Sequence, residues 1–474
     1  MASSLSRNGY QKGSFFDSIL ETFMSNSSTE TIVAVSTPFG EGAIAMLRIS
    51  GPEAFVVARR LFRSRVSFER MRPRHLYFGR IVEEMVSIDE GLCAIFHAPA
   101  SYTGENLVEL SCHGGLVVPA QVLRLALDLG ARLAHPGEFT QRAFLNGKID
   151  LTQAEAVMDL IKAQTLQAVR AAALQLDGSI SRAMGAIRSE LIHILSHLEV
   201  SIDFPEEGLE LDTKETLLKK ISQAQRQIDA LLSTESHGRM LREGIRLVIC
   251  GPPNVGKSSL LNRLLKCDRA IVSHLPGTTR DTLEESVSLK GMLFRLTDTA
   301  GIHRTRDLVE LEGIRRSFAA AEKADVILYV VDAAQSISPT PSALPEDRLH
   351  LVWNKIDLLG EPFSCPPASA AVSCLTGAGI PRLISKIIEW ASGSRYSSDC
   401  GQLVTINARH QSCLKRAVVS LERAGELANN GVDSEAECIA FELRTALDAI
   451  GEVTGTVDHE EVLNSVFSNF CLGK

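Results

Sequence analysis

Between residues 30 and 148, short apolar runs alternate with turn residues. "AIAMLRIS", "GLCAIFHA" and "LVELSCHGG" predict strands, and "PAQVLRLALDLG" carries one helical period among them. The pattern changes at "IDLTQAEAVMDLIKAQT". Thr152 and Glu155 there have the spacing of a capping box, and Val157, Leu160 and Ile161 fall on one helical face. Helical periodicity continues to about residue 240, with a break at "SIDFPEEG". From Gly244 strand-like and helix-like runs alternate: "IRLVIC", "KSSLLNRLLK", "MLFRLTDTAG", "DVILYVVDAA", "HLVWNKID". Such alternation predicts a parallel sheet with helices on both faces. A polar stretch follows Ser392, and "ARHQSCLKRAVVSLERAGELANN" and "EAECIAFELRTALDAIGEV" return to helical period. The economical arrangement is multi-domain. Residues 1–29 read as a disordered extension, 30–149 as an N-terminal α/β domain, and 150–243 as the first part of an all-α domain. Residues 244–392 form a second α/β domain inserted into it, and 393–474 complete the helices.

Composition narrows the function. The chain of 474 residues suffices for several cores at about 150 residues per domain. Hydrophobic residues make up 45% and charged residues 22%, as in ordinary soluble proteins. A net charge of −8 argues against a surface coated throughout by nucleic acid, while leaving room for a basic patch. The segment "RRLFRSRVSFERMRPRHLYFGR" fits either such a patch with interleaved aromatics or a solvated amphipathic face. No apolar run approaches the roughly 20 residues of a membrane span. The ten cysteines are scattered, without C-x-x-C or zinc spacing, which predicts free thiols in a reducing cytoplasm. The Ser-rich opening is partly like a transit peptide, but Asp17 and Glu21 speak against one, and Met24 is an alternative start.

The chemistry concentrates in the inserted domain. "GPPNVGKS", Gly251 to Ser258, follows a strand-like run and opens a helix, the context of a P-loop. Its backbone N–H groups cradle phosphates, Lys257 reaches the β- and γ-phosphates, and Ser258 ligates Mg²⁺. "DTAG" places Asp298 for the Mg²⁺ shell and Gly301 for an N–H to the γ-phosphate. "GTTRD" offers Thr279 to the same ion. In "NKID", a buried Asp357 carboxylate accepts from guanine N1–H and the 2-amino group, donors that adenine lacks there, and Asn354 and Lys355 support that pocket. Ser373, Cys374 and Leu375 stand where a last loop covers the base. The order of these motifs at successive strand ends predicts a Ras-like P-loop GTPase domain. Ile302 follows "DTAG", where Ras has the glutamine that orients the attacking water. An apolar side chain cannot do that, so hydrolysis needs another polar group among His303, Arg304, Asp307, Glu310 and Glu312.

"GPPNVGKSSLLN", "SHLPGTTRD", "DTAGIHRTRDLVELEGI", the upstream "PGEFTQRAFLNGKIDLTQAEAV" and the final "FCLGK" together resemble the MnmE (TrmE) family of tRNA modification GTPases, from about Thr31 to Lys474. The resemblance implies an N-terminal domain that binds a one-carbon tetrahydrofolate derivative, the all-α domain, and the inserted GTPase. It implies a homodimer that joins an MnmG-type FAD/NADH enzyme in a heterotetramer and modifies C5 of the wobble uridine of certain tRNAs. It also implies G domains that meet face to face around K⁺. By position, K⁺ ligands fall on Asn254, Ser273, Leu275 and Thr278, and the water-orienting carboxylate falls on Glu310. GTP contacts extend over Asn254, Val255, Gly256, Lys257, Ser258 and Ser259. They continue over Ser273, His274, Leu275, Pro276, Gly277, Thr278 and Thr279, over Asp298, Thr299, Ala300 and Gly301, and over Asn354, Lys355, Asp357 and Ser373 to Leu375. Folate contacts fall on Arg48, Glu109, Lys148 and Lys474.

The terminal "CLGK" has the outline of a prenylation box, but Gly473 is not aliphatic and Lys474 is not a usual last residue for one. The family resemblance implies instead that the tail reaches the folate pocket. There Cys471 is a candidate nucleophile, Gly473 permits a close turn past the ligand, and Phe470 packs the segment down. Two other functions compete on these motifs. One is a K⁺-dependent GTPase of ribosome assembly, against which stands the single P-loop. The other is a folate-sensing scaffold whose GTPase times partner binding.

Overall fold

The computed structural model describes residues 30–203, 213–267, 284–298, 322–335, 344–392, 404–457 and 463–474, apart from a few positions inside the last three stretches. The chain divides into two compact units. One comprises the described residues up to Ala154 together with those from 458 to Lys474, and the other runs from Glu155 to Val457.

The first unit is built on a seven-stranded sheet. Its strands are β1 (Ile32–Val35), β2 (Ile44–Ser50), β3 (Phe62–Ser64), β4 (Tyr77–Glu83), β5 (Val86–Phe96), β6 (Leu107–His113) and β7 (Arg132–Leu133), in the spatial order β3-β4-β5-β6-β2-β1-β7. All pairings are antiparallel except β1 with β7. The three runs read as strands from the sequence are β2, β5 and β6. Period two divides each strand between two faces. Val33, Val35, Leu47 and Ile49 join α1 (Ala54–Leu61) and α2 (Val117–Asp128) in one core. Ile32 and Ala34 join Phe139 of α3 (Glu138–Leu145) in a smaller one. The second face is the one that carries Arg48 and Glu109, directly opposite each other on β2 and β6.

Helix α4 (Leu151–Lys162) starts one cap earlier than its sequence suggests. The Asp150 carboxylate accepts from the Gln153 N–H at 3.0 Å, and Gln153 Oε1 accepts from the Asp150 N–H at 3.0 Å. The capping box is therefore Asp150 with Gln153, not Thr152 with Glu155. Thr152 lies inside the first turn and donates to Asp150 Oδ1 at 2.6 Å. The buried stripe is Leu151, Ala154, Val157 and Met158, while Ile161 is 45% exposed.

In the second unit, α5 (Leu166–Leu176) precedes the long α6 (Ser179–Asp203), α7 (Lys214–Leu232) and α8 (Glu235–Glu243). A six-stranded sheet follows: β8 (Ile245–Cys250), β9 (Glu284–Leu289), β10 (Met292–Asp298), β11 (Val326–Asp332), β12 (Leu349–Asn354) and β13 (Ala370–Ala371), ordered β13-β12-β11-β8-β10-β9. Only β9 runs antiparallel. Alternate strand residues Leu247, Leu328 and Val352 pack with α9 (Lys257–Cys267) and α10 (Ile380–Ser392) on one face, and Val248, Ile327 and Trp353 form the core of the other. The described helices of this domain thus share one side of the sheet. Helices α11 (Ala408–Asn430) and α12 (Ala436–Thr454) then complete a four-helix bundle with α6 and α7, whose seam includes Leu191, Ile221, Leu414 and Leu443.

A buried polar node joins α4 to the start of α11. Glu155 accepts from Arg409 Nε on Oε1 at 2.7 Å and from Asn407 Nδ2 on Oε2 at 2.9 Å, and His410 Nε2 lies 2.7 Å from Oε2. His410 Nδ1 accepts the Asn407 N–H at 3.3 Å. Burial opposes ionisation of Glu155, but His410 and Arg409 outweigh it and hold the carboxyl at about 2. This is what Glu155 does in place of capping.

Candidate nucleotide site and N-terminal ligand site

The P-loop is shaped by backbone conformations that few residues adopt. Gly251 has φ +140°, and a Cβ there would stand 2.2 Å from Val330 O. Gly256 has φ +98°, and a Cβ there would stand 2.3 Å from Asn354 Nδ2. Both positions require glycine. Asn254 takes the left-handed region at φ +62°, which asparagine tolerates better than most residues, and is exposed. Lys257 folds back over the loop, its Nζ donating to Gly251 O at 3.0 Å and Pro252 O at 2.7 Å. Ser258 and Ser259 are exposed in the first turn of α9, while Val255 is buried.

Asn354 ends β12 and joins this loop to the last loop of the domain. Its Nδ2 donates to Val255 O at 2.8 Å, and its Oδ1 accepts the Cys374 N–H at 3.1 Å. Lys355, at φ +66°, donates from Nζ to Asp332 at 2.8 Å. Lys355 and the Ala334 N–H hold the Asp332 carboxyl below its usual range. Ser373 is buried, and its Oγ accepts the Thr376 N–H at 3.1 Å. Arg263 of α9 donates to Cys374 O at 2.9 Å and to Leu375 O at 2.8 Å, while the Leu375 side chain is exposed. Asp357 is exposed, not buried as its proposed role in base recognition suggests. It lies on a short 3₁₀ turn that follows the end of β12. Sequence reasoning missed Asp332 and Arg263. Asp332 had a signal, as the acidic end of "VILYVVD" beside the strand that ends in "NKID"; Arg263 had none.

Of the remaining predicted residues, Asp298 ends β10, which pairs in parallel with β8. Ser273, His274, Leu275, Pro276, Gly277, Thr278, Thr279, Thr299, Ala300, Gly301 and Glu310 lie outside the described residues.

In the first unit, Arg48 Nε and Nη2 both donate to Glu109 Oε1, at 3.1 and 2.7 Å. The guanidinium stands 5.2 Å from the Tyr102 ring centre and 5.7 Å from that of Phe139, within cation–π range. Tyr102 is fixed in turn by a 2.9 Å hydroxyl contact with Thr140. Neither aromatic was predicted, because both lie far from Arg48 in sequence.

The C-terminal segment comes to the same place. Phe467 and Phe470 are buried, with ring centres 5.5 Å apart, and seat on Gly137, where a Cβ would meet Phe467 O at 2.6 Å. Gly137 N–H donates to Cys471 O at 3.4 Å, and Gly473 O accepts from Ser36 Oγ at 3.2 Å. Gly473 has φ +87°, and its close neighbour is the chain itself: a Cβ would stand 2.5 Å from Val35 O. Burial, then the charge of Arg48, lowers the pKa of Lys474, while Cys471 and Glu109 pull it the other way. The charges of Arg48 and Glu109 thus reach Lys474, and the Cys471 side chain is exposed. Lys148 is engaged on its own loop, with Nζ donating to Pro99 O at 3.0 Å.

Comparison with known proteins gives concordant matches. A family model described as the GTP-binding protein TrmE N-terminus matches residues 31–148, and one described as the MnmE helical domain matches residues 151–471. The tRNA modification GTPase MnmE of Akkermansia muciniphila is 45% identical over 446 residues, covering 94% of this chain and 99% of the relative. The protein of the same name from Chlorobium phaeobacteroides is 42% identical over 467 residues, covering 94% and 97%. That of Chlamydia trachomatis serovar L2 is 42% identical over 449 residues, covering 94% and 99%. No helix among the described residues is long and apolar enough to cross a membrane. A P-loop on a mainly parallel sheet, an all-α bundle around it and relatives matched over nearly their whole length converge on one conclusion: the chain belongs to the MnmE family and is a GTP hydrolase of tRNA modification.

Proposed function

We propose that this GTPase works in the cytoplasm as a homodimer with an MnmG-type FAD/NADH enzyme, in a heterotetramer. Together they install a (carboxymethyl)aminomethyl group at C5 of the wobble uridine of certain tRNAs. The observation that supports this best is the meeting of Arg48, Glu109 and Lys474 in one unit, with residues of the C-terminal segment seated on Gly137. A tetrahydrofolate derivative supplies a one-carbon unit when bound there. Both Arg48 donors go to Glu109 Oε1, which leaves Oε2 to accept from the guanine-like donor edge of a pterin. Tyr102 and Phe139 keep the guanidinium in place, and Lys474 and Lys148 offer ammonium donors for carbonyl or carboxylate oxygens. Cys471, exposed and anchored through its carbonyl, is assigned to the one-carbon centre.

In the GTPase domain, Lys257 neutralises charge between the β- and γ-phosphates, and Ser258 and Thr279 hold Mg²⁺, with Asp298 in its outer shell. Asn254 presents an exposed side chain beside the phosphate cradle, and with Ser273, Leu275 and Thr278 it forms the K⁺ site. Asp357 selects guanine, and Glu310 orients the attacking water through a second water.

Nucleoside analysis of tRNA from a deletion strain, with and without this gene restored, tests the function. Loss of the C5 substituent at the wobble position on deletion, and its return on restoration, is expected. Intact modification with accumulating ribosomal precursors would establish the ribosome-assembly reading instead.

A further inference from the structure

From Ala54 to Val82 the chain carries eight arginines, no lysine and one acidic residue, Glu69, within a protein of net charge −8. The segment folds as α1, the edge strand β3 and β4 of the first unit, with the connection 65–76 between the two strands. Its aromatics mostly serve the fold. Phe62 is buried, Phe68 packs edge-on against Phe55 with ring centres 6.1 Å apart, and the Tyr77 hydroxyl accepts the Arg72 N–H at 2.7 Å. The eight arginines are all exposed, at the end of α1, on the two strands and along the connection.

The frame that displays them is fixed. Arg59 meets Glu69 at 3.4 Å, which brings the connection back beside the last turn of α1. Met71 is buried, and the Arg74 N–H donates to Ile95 O of β5 at 2.9 Å. Arg63 and Arg80 stand directly opposite each other on β3 and β4. Like charges in that position repel, and Glu90, 3.3 Å from Arg80, answers only one of them. Among the described residues no carboxylate pairs with Arg60, Arg65, Arg70 or Arg72. Charge on an edge strand guards a sheet against pairing with other chains, and Arg63 suffices for that. It does not account for a helix end and a connection of the same sign. Concentrated positive charge suits a polyanion, whose bound counter-ions are released on docking. Guanidinium, unlike ammonium, grips phosphate with two parallel N–H donors.

We propose that this edge of the first unit is where the tRNA docks, its sugar–phosphate backbone lying across the end of α1, β3 and the 65–76 connection. The arginines position the RNA and do not read its sequence. The inference rests on the chain's place among tRNA modification GTPases and not on the folate or K⁺ assignments.

Fluorescence anisotropy of a labelled tRNA transcript with a wobble uridine, titrated with the full-length protein over about 50–200 mM KCl, tests it. Combining Arg60→Gln, Arg65→Gln, Arg70→Gln and Arg72→Gln is expected to weaken binding roughly tenfold or more. It should also make the dependence of log Kd on log salt shallower by about 3, equally for two tRNAs of different sequence. Lysine at the same four positions keeps the charge and should retain most of that slope. Glutamine at four exposed cations of the second unit, Arg170, Arg188, Lys219 and Lys415, removes as much charge and is expected to change affinity less than about twofold. GTP hydrolysis without tRNA should be unaltered in every variant, which checks that each folds. If the fourfold glutamine variant does not fold, Arg65→Gln and Arg72→Gln singly decide, each expected to lower the slope by about 1. Unchanged affinity and slope, an equal loss in the second-unit variant, or no tRNA binding by the unaltered protein overturns the proposal. The function in tRNA modification is decided separately, by the nucleoside analysis above. Unchanged tRNA binding with loss of binding to phosphatidylserine vesicles would assign the edge to a membrane surface and likewise overturn it.

Discussion

Asn354 Nδ2 donates to Val255 O at 2.8 Å, so the end of β12 holds the P-loop directly by a buried side chain. Its Oδ1 accepts the Cys374 N–H at 3.1 Å. Truncation to alanine strands both partners, at about 1–3 kcal/mol for each buried group left unpaired. Asn354→Ala is therefore expected to weaken guanine nucleotide affinity roughly tenfold or more and to lower the melting temperature. Titration with a fluorescent GDP analogue measures the first effect. Unchanged affinity would mean that the bond holds the loop without shaping the pocket.

Asn254 stands exposed at φ +62° on the P-loop crest. If its side-chain oxygen ligates a monovalent cation, GTP hydrolysis is much faster in K⁺ than in Na⁺, and Asn254→Ala reduces that preference. Equal rates in the two salts would remove K⁺ from the site.

Gly473→Ala puts a methyl group 2.5 Å from Val35 O, at a φ of +87° that alanine disfavours. The combined strain, on the order of 1–3 kcal/mol, should dislodge the last residues rather than unfold the unit. Faster removal of Lys474 by carboxypeptidase and weaker binding of a folate probe are expected together. Fast cleavage with unaltered folate affinity would show that Lys474 does not contribute to that site.

Glu155 has its pKa lowered from 4.5 to about 2 in the folded chain. A carboxyl displaced downward stabilises the fold above its unfolded value and loses that contribution as pH falls from 4.5 towards 2. The displacement corresponds to about 3 kcal/mol. Glu155→Gln should forfeit most of it at neutral pH and flatten acid unfolding in that window. Parallel urea denaturation of the two proteins at neutral and acid pH provides the test; identical pH profiles would contradict it.

Asp159 behaves oppositely. Its pKa is raised from 3.8 to about 6, so the protonated form is the one the fold prefers, and stability is lost as pH rises from 3.8 through 6. The same conversion gives about 3 kcal/mol at most. Asp159→Asn is expected to raise the melting temperature above pH ~7 and to leave it nearly unchanged near pH ~4. A variant less stable than the parent at the higher pH would show that the carboxylate has a stabilising partner.

What was legible in the sequence was local. "GPPNVGKS" announces its own loop because the glycines, the lysine and the adjoining strand and helix occur within a few residues of each other. Three of the seven strands of the first unit, β2, β5 and β6, were legible as short apolar runs between turn residues. The small cap at α4 was misread because Thr152 and Asp150 both suit an N-cap, and only the bonds to Gln153 decide between them. Asp357 was expected to be buried from its role, but on the short turn after β12 its side chain is exposed among the described residues. Tyr102, Phe139 and Gly137 escaped notice for a different reason. Their importance comes from packing against residues remote in the chain, and no spacing rule encodes that.

Ser36 and Gly473, bonded at 3.2 Å, lie 437 positions apart in the chain. The whole second unit is made between them, at about 5–20 residues per second during synthesis. For roughly 15 to 70 s, then, β1 and Gly137 have been translated while the segment that covers them has not. During that interval the nascent first unit exposes the apolar seat of Phe467 and Phe470. A chain released before Phe467 lacks that cover for good, and transiently exposed apolar surface of this kind is what makes unfinished chains prone to aggregation.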